Sequence, residues 1–165
     1  NQLGMIIDVS HLSDGGFWDV LTYSNKPVVA SHSNARSLCN HPRNLSDEMI
    51  KALADRGGIA GINLYPYFIK KNGKATVDDI AAHVWHMYQT GGEDFVAIGT
   101  DFDGFDEGEL EIVDIGEMGK LYDAVKKRGF SERQMEKFWS GNEMRVMEAL
   151  FYKPIEKLKL SKYTK

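Results

Sequence analysis

The chain has 165 residues, of which 42% are hydrophobic and 27% are charged, and its formal net charge is −4. This length and composition are typical of one globular domain with a core of its own. An acidic balance with scattered basic residues argues against a nucleic-acid partner, and no apolar stretch approaches the roughly 20 residues of a membrane span. The single Cys39 cannot form an internal disulfide. It therefore suits a reducing compartment and predicts a cytoplasmic location.

Four short apolar runs alternate with segments whose apolar residues recur at helical spacing. The runs predict buried strands, and the third is expected to end in an aromatic loop; they are GMIIDVS (4–10), PVVASHS (27–33), GIAGINLYPYFI (58–69) and FVAIGTDFDGF (95–105). Helical patterns follow at residues 15–25, 45–58, 76–92, 115–128 and 131–152. Ser46 and Thr76 are the predicted N-caps of the second and third helices, and Gly57 is a predicted stop. Residues 153–165 are polar and basic, so we expect one unit over 1–152 followed by a tail.

This alternation predicts an α/β fold with a parallel sheet and helices on its outside. About four βα units plus a terminal helix are half of an eight-stranded (β/α)8 TIM-type barrel, which typically needs about 250 residues. An open, doubly wound sheet is the alternative architecture. No Gly-rich phosphate-binding sequence follows any predicted strand, so a nucleotide site of that type is not indicated.

Polar side chains follow three of the predicted strands. His11 and His32 come after the first and second strands, and Asp101 and Asp103 come after the fourth. Active sites of α/β folds lie at these carboxyl ends, and neighbouring strands are about 4.8 Å apart. Two imidazoles at matching heights can therefore share one zinc ion, although zinc usually takes three or four ligands.

Each of these residues also has a purely structural interpretation. A histidine after a strand is often a capping residue, and Asp101 and Asp103 are residue types that build turns. His83 and His86 are three residues apart on a predicted helix and close enough to chelate a metal, but that helix is expected on the outside, so we predict surface residues. The sequence alone leaves the metal and turn interpretations of Asp101 equally open.

Arg43 lies in the loop after the second strand, just before a predicted helix. Its forked guanidinium is suited to a substrate carboxylate. A salt bridge to Asp47 or Glu48 is the simpler interpretation, and the residues by themselves favour it slightly.

Four segments in this order resemble the membrane (renal) dipeptidase family: LGMIIDVSHLS, PVVASHSNARSLCNHPRN, IGTDFDG and GNEMRVMEAL. The resemblance extends from residue 3 to about residue 150. It implies a zinc-dependent dipeptidase with a (β/α)8 barrel related to the amidohydrolases, acting on dipeptides. A complete enzyme of the family holds two zinc ions.

The resemblance also implies roles for single positions. His11 and His32 match two histidine ligands of one zinc, and Asp101 matches the aspartate thought to transfer a proton. Arg43 matches the arginine that binds the C-terminal carboxylate of the substrate. Tyr65 falls in the loop that lines the substrate pocket.

Other groups of the family pattern have no counterpart in these 165 residues. They are a His-x-Asp pair on the first strand, a glutamate that bridges the two zincs and a further histidine. Since all belong to the first half of the barrel, we expect this chain to be a C-terminal half, with at most one zinc half-site and low or no activity by itself. Its expected partners are the N-terminal half of the barrel and a dipeptide, and exposed strand edges make a homo-oligomer plausible. The alternatives are a non-catalytic folding or binding module, and another amidohydrolase-type hydrolase acting on a non-peptide amide or lactone.

Overall fold

The computed structural model describes residues 5–105 and 109–151. Its three strands form one parallel sheet in sequential order: β1 (Val29–Ala30), β2 (Ile59–Ile62) and β3 (Val96–Ile98). Within the described ranges, the α-helices are α1 (Asp14–Tyr23), α2 (Asp47–Asp55), α3 (Pro66–Ile69), α4 (Val77–Gly91), α5 (Met118–Lys127), α6 (Glu132–Glu136) and α7 (Asn142–Phe151). A 3-10 turn (Ile115–Glu117) precedes α5, and a π-helical stretch (Lys137–Gly141) joins α6 to α7. The structure confirms the predicted α/β fold, whereas the predicted tail at 153–165 lies outside the described residues.

The first predicted strand is reduced to a parallel bridge between Asp8 and Val29. Val9 N donates to Val29 O at 2.8 Å and Val29 N donates to Ile7 O at 3.0 Å, so the segment lies beside β1 as expected. The strand ends early because the Asp8 carboxylate accepts the Ser10 N–H at 3.0 Å, which bends the chain in the manner of an Asx turn.

The third predicted strand is also shorter than the apolar run suggests. β2 ends at Ile62, and α3 starts at Pro66 where the sequence indicated only an aromatic loop. Asn63 Oδ1 accepts the Tyr65 N–H at 2.6 Å and turns the chain, and proline is well tolerated in the first turn of a helix. The carboxyl end of β2 is therefore at Ile62, and the expected aromatic loop contains the short helix α3.

The helix termini follow their sequence signals. Ser46 Oγ accepts the Met49 N–H at the start of α2, and Gly57 beyond its end has a φ of 70°. Thr76 and Asp79 form a complete capping box on α4. These local hydrogen bonds explain why the predicted limits of both helices are accurate.

The two faces of the sheet are covered differently. Val28, Ala30 and Ile62 belong to the main core, which lies between the sheet and the outer layer of α2, α4 and α5. The opposite face carries Val29 and Ile59, which pack in a small separate cluster with Val146 of α7. This inner face borders a cavity of about 490 Å³ that also reaches Asp8, Ser31, Glu143, Met144 and Met147. Met144 and Met147 remain 53% and 46% exposed, so α7 covers the inner face only in part.

Close approach of the strand ends requires glycine at two positions. A Cβ at Gly61 or at Gly99 would collide with the carbonyl oxygen of Ser31. Since Ser31 precedes His32, these glycines allow β2 and β3 to come close to the histidine-bearing end of β1. The sheet thereby gathers the predicted site residues at one edge.

No helix among residues 5–105 and 109–151 combines the length and the apolar character that crossing a bilayer requires.

We expect Glu143→Gln to stabilise the chain above about pH 6. Burial raises the pKa of Glu143 to about 6, with a hydrogen bond from the Ile98 backbone opposing it. The folded state therefore holds the proton more tightly than the unfolded chain, and stability falls as the pH rises from about 4.3 through 6. Urea unfolding should show Glu143→Gln more stable than wild type at pH 7.5, by about 1 kcal/mol after solvent screening.

At pH 4 the two proteins should unfold alike. Glu148→Gln, on the exposed side of the same helix, is the matched control and should not change the stability at pH 7.5 or at pH 4. An equal effect of both substitutions at pH 7.5 would contradict the assignment to the buried carboxyl.

Candidate active site

His11 and His32 meet at the carboxyl edge of the sheet, as the sequence predicts. Their Nε2 atoms are 2.8 Å apart, and their ring centroids are 4.9 Å apart. The two nitrogens thus converge on one point from neighbouring strand ends. Burial lowers the pKa of His32, and the negative charges of Asp101 and Asp8 only partly offset that effect.

The two strand ends are tied together by Asp8. One of its carboxylate oxygens accepts hydrogen bonds from Ser10 N, Ser10 Oγ and Ser31 N, and the other accepts from Ser31 Oγ. Partial burial alone would raise the pKa of Asp8, but the hydrogen bonds from Ser31 and Ser10 outweigh it and hold the pKa below its ordinary value. Ser31 Oγ also lies 2.7 Å from His32 Nδ1. Sequence reasoning did not identify Asp8, because it was read as an ordinary strand residue.

A cavity of about 770 Å³ opens beside His11 and brings the other predicted residues together. It is lined by His11, Arg43, Tyr65, Pro66, Tyr67, Phe68, Asp101, Gly104, Phe105 and Glu109. His32 lies directly behind His11, with 2.8 Å between the two Nε2 atoms. All five predicted site residues therefore lie in or directly behind one cavity.

Asp101 combines the two interpretations that the sequence left open. Its φ of 61° is in the left-handed region, and its carbonyl accepts the Gly104 N–H at 3.0 Å, so its backbone builds the turn. Its carboxylate lines the cavity and accepts a hydrogen bond from Asn63 Nδ2 at 3.0 Å. A non-glycine residue in this conformation costs on the order of 1–2 kcal/mol, and such strain is often found at functional sites.

Asn63 is a functional residue that sequence reasoning missed. It is completely buried, and it forms a reciprocal pair with the equally buried Asn34: Asn63 N donates to Asn34 Oδ1 and Asn34 Nδ2 donates to Asn63 O, both at 2.9 Å. The side-chain Nδ2 of Asn63 donates to the Asp101 carboxylate, and its side-chain Oδ1 accepts the Tyr65 N–H and so stabilises the turn. The signal was present, because Asn63 directly follows β2, but the sequence did not show at which residue the strand gives way to the expected aromatic loop.

Arg43 is held from two sides and leaves one nitrogen free. Its Nε donates to Ser10 O at 2.8 Å, and its guanidinium lies 5.2 Å from the ring centroid of Phe68. Nη2 is buried and has no hydrogen-bond partner. The salt bridge to Asp47 or Glu48 that the sequence slightly favoured is not among the ion pairs of the described residues, and Asp47 instead pairs with His86 at 2.8 Å. Arg43 therefore lines the cavity and has one guanidinium nitrogen without a hydrogen-bond partner.

Tyr65 forms the centre of an aromatic wall. Its ring centroid lies 4.7 Å from that of Phe68 and 5.3 Å from that of Phe105. These rings give the cavity an apolar part next to its charged groups. Such a combination of apolar surface and a few convergent polar groups is typical of small-molecule sites.

The prediction that His83 and His86 are surface residues is wrong for His83. His83 is only 1% exposed, because it lies on the face of α4 that packs into the core with Ile80, Val84 and Met87. Its Nδ1 accepts the Ala35 N–H, its Nε2 donates to Ile69 O at 2.9 Å, and burial lowers its pKa to about 4. His86 is partly exposed and binds Asp47, so the two rings do not form a chelating pair.

Among residues 5–105 and 109–151, no group of three or more histidine, cysteine, aspartate or glutamate side chains is arranged to hold a metal ion. The pair of His11 and His32 therefore supplies at most two ligands. Zinc sites use three protein ligands when catalytic and four when structural.

The model of one protein family, the membrane dipeptidases (peptidase family M19), matches residues 1–157. This chain belongs to the membrane dipeptidase family. The match covers the whole site described above, and it confirms the family that the four sequence segments indicated.

Two related sequences and one solved structure illustrate the relationship. The chain is 36% identical over 152 residues to an uncharacterized Klebsiella pneumoniae protein in the pqqA 5′ region, and 35% identical over 148 residues to dipeptidase tcpJ of Claviceps purpurea. These matches cover 90% and 89% of this chain but 56% and 35% of the relatives. A Rhodobacter sphaeroides metallopeptidase, solved with a phosphinate mimic of the dipeptide L-Ala-D-Ala, superposes with a TM-score of 0.83 at 30% identity, covering 90% of this chain and 43% of that one. The chain thus spans between about one third and just over half of these relatives.

Replacing Asn63 with alanine should destabilise the chain by about 2–4 kcal/mol, since several buried polar groups lose their partner at once. Urea unfolding at pH 7 measures this loss. Asn40→Ala, at an exposed asparagine, is the control and should change stability by less than about 0.5 kcal/mol. A loss no larger than that of the control would show that Asn63 does not hold the strand ends together.

Proposed function

We propose that this chain carries part of the active site of a zinc-dependent dipeptidase. The observation that carries the proposal is the convergence of His11 and His32 Nε2, 2.8 Å apart, at a cavity that also holds Arg43 and Asp101. The family relationship supports peptide hydrolysis as the reaction. The dipeptide mimic bound to the Rhodobacter metallopeptidase supports a dipeptide as the substrate class.

The two histidines are suited to zinc as one half of a ligand set. Two tetrahedral ligands at 2.0–2.1 Å from a zinc ion are about 3.3 Å apart, so the rings would have to separate by about half an ångström. Zinc bound there would polarise a peptide carbonyl and acidify a water molecule. We infer two zinc ions in a complete site, of which this chain supplies two ligands to one.

Asp101 is the proposed proton acceptor and donor. Asn63 holds one carboxylate oxygen, which fixes the group at the cavity wall and leaves the other oxygen free to take up a proton. A carboxylate held in this way can accept a proton from the attacking water and pass it to the leaving amine. The left-handed backbone at Asp101 fits this role, since such strain is often found at functional sites.

Arg43 is the proposed ligand of the substrate's C-terminal carboxylate. Its buried Nη2 has no partner, and an unsatisfied buried donor is costly, so an acceptor from the substrate would complete it. The contacts with Ser10 and Phe68 fix the guanidinium before the substrate arrives. A fixed carboxylate site at one end of the cavity favours short peptides, and Tyr65 would contact their side chains.

Further barrel strands are the proposed source of the missing ligands. The inner face with Val29 and Ile59 is only partly covered by α7, and the sheet of the described residues has open edges. The strands run in sequential order without a reversal, as in a (β/α)8 barrel, and the relatives are longer than this chain. We therefore propose that this chain is the C-terminal half of such a barrel and that it has low or no activity until the remaining βα units pack on the inner face.

A zinc titration followed by calorimetry tests the metal half of the proposal. The metal-free chain should bind about one zinc ion weakly, and His11→Ala should abolish that binding because one imidazole cannot retain the ion. His86→Ala removes a histidine away from the site and should leave binding unchanged. Absence of zinc binding, or binding that survives in His11→Ala, would contradict a preformed half-site.

Dipeptide binding tests the role of Arg43. Arg43→Lys keeps the positive charge but loses the planar guanidinium that binds a carboxylate through two N–H groups. We therefore expect the Kd for L-Ala-D-Ala to rise about tenfold, which is equivalent to about 1.4 kcal/mol. NMR titration of the labelled chain measures this Kd. The same dipeptide with its C-terminus amidated should bind weakly to both proteins.

Arg36→Lys is the control, because Arg36 pairs with Asp14 outside the cavity. An unchanged Kd in Arg43→Lys would remove Arg43 from the substrate site. If Arg43→Lys still bound the free-acid dipeptide much more tightly than the amidated one, the substrate carboxylate would be bound by a group other than Arg43.

A further inference from the structure

The hydrogen bonds behind His32 fix where its proton lies. Ser31 Oγ stands between the Asp8 carboxylate and His32 Nδ1, at 2.7 Å from the ring nitrogen. On the other side of the ring, His32 Nε2 faces His11 Nε2 at 2.8 Å. Asp8, Ser31 and His32 thus form a chain of contacts that ends at the proposed metal position.

The direction of each bond in this chain follows from its donors and acceptors. Asp8 accepts hydrogen bonds from Ser10 N, Ser10 Oγ, Ser31 N and Ser31 Oγ, which is the pattern of an ionised carboxylate that has no proton to give. The hydroxyl proton of Ser31 therefore points to Asp8. Ser31 Oγ can only accept from His32, so Nδ1 of His32 carries the ring proton.

We infer that Asp8 and Ser31 are positioning residues that hold His32 as the Nδ1–H tautomer, with the Nε2 lone pair directed at the proposed metal position. The inference rests on the metal-binding role proposed above for His32. Neither Asp8 nor Ser31 contacts that position; both act through the imidazole. Partners of this kind behind a histidine ligand typically raise metal affinity 10- to 100-fold.

The two histidines are consequently not equivalent. Because His32 Nε2 has no proton, the 2.8 Å contact requires that His11 Nε2 donates. His11 must release or relocate this proton before it can act as a ligand, whereas His32 is already in the ligating form. In the metal-free chain, the histidine that follows β1 is therefore the one that is ready to bind a metal ion.

Asp8→Asn should reverse the donor and acceptor roles in the hydrogen bonds that run from residue 8 through Ser31 to His32. One oxygen of Asp8 accepts three hydrogen bonds, so the asparagine carbonyl must take that place and its NH₂ group must face Ser31. The NH₂ group then donates to Ser31 Oγ, whose own proton turns to His32 Nδ1. His32 should become the Nε2–H tautomer, which has no lone pair for a metal.

Long-range ¹H–¹⁵N NMR correlations on the metal-free 165-residue chain at pH 8 report the tautomer of His32 directly. The wild-type chain should show Nδ1–H, Asp8→Asn should show Nε2–H, and Ser31→Ala should show a mixture. Ser37→Ala is the matched control, because Ser37 Oγ lies 2.9 Å from the Nε2 of a different histidine, His86, and its removal should leave His32 unchanged. Backbone spectra of each variant establish that it is folded, and Ser31→Ala provides the test if Asp8→Asn does not fold.

Wild-type His32 in the Nε2–H form, or His32 unchanged in both Asp8→Asn and Ser31→Ala, would overturn the inference. Zinc titration of the same samples separates it from the proposed function. A chain with the expected tautomers that binds no zinc would support the hydrogen-bond chain and contradict the metal site. Zinc binding by the wild type with a 10- to 100-fold loss in Asp8→Asn would support both.

Discussion

The hydrogen bonds that Asp8 accepts hold the site together. Its carboxylate joins the end of the first segment to the end of β1 through Ser10 and Ser31, and these are the two chain segments that carry His11 and His32. Because the backbone pairing there is reduced to one bridge, side-chain hydrogen bonds replace the missing strand ladder. The distance between the two imidazoles depends on this carboxylate more than on regular sheet structure.

A second polar anchor organises the other half of the site. The buried pair of Asn34 and Asn63 connects the ends of β1 and β2, and Asn63 extends the connection to Asp101 at the end of β3. Buried polar groups are stable only when they are fully hydrogen-bonded, so the arrangement tolerates little displacement of any strand end. The Asp101 carboxylate is thus held in place by the packed ends of β1 and β2.

The inner face of the sheet is covered less completely than the outer face. The outer face is buried beneath helices, whereas Val29 and Ile59 pack in a small cluster with Val146 of α7 beside a cavity of about 490 Å³. Parallel sheets are normally covered on both faces. The described residues around His11 and His32 likewise include no third side chain arranged to bind a metal ion.

The sequence by itself determined the alternation of strands and helices, the capped limits of α2 and α4, and the family, because these depend on local periodicity, capping residues and short motifs. It also placed His11, His32, Arg43 and Asp101 near one sheet edge, since parallel strands bring their carboxyl ends together, whereas Tyr65 was implied only by the family resemblance. Only the tertiary structure decided where β2 ends, which face of α4 buries His83, and which polar groups support the site. Asp8 and Asn63 act through partners more than 20 residues away along the chain. A sequence pattern reports neighbours within a few residues, whereas such bonds exist only after the strands have packed.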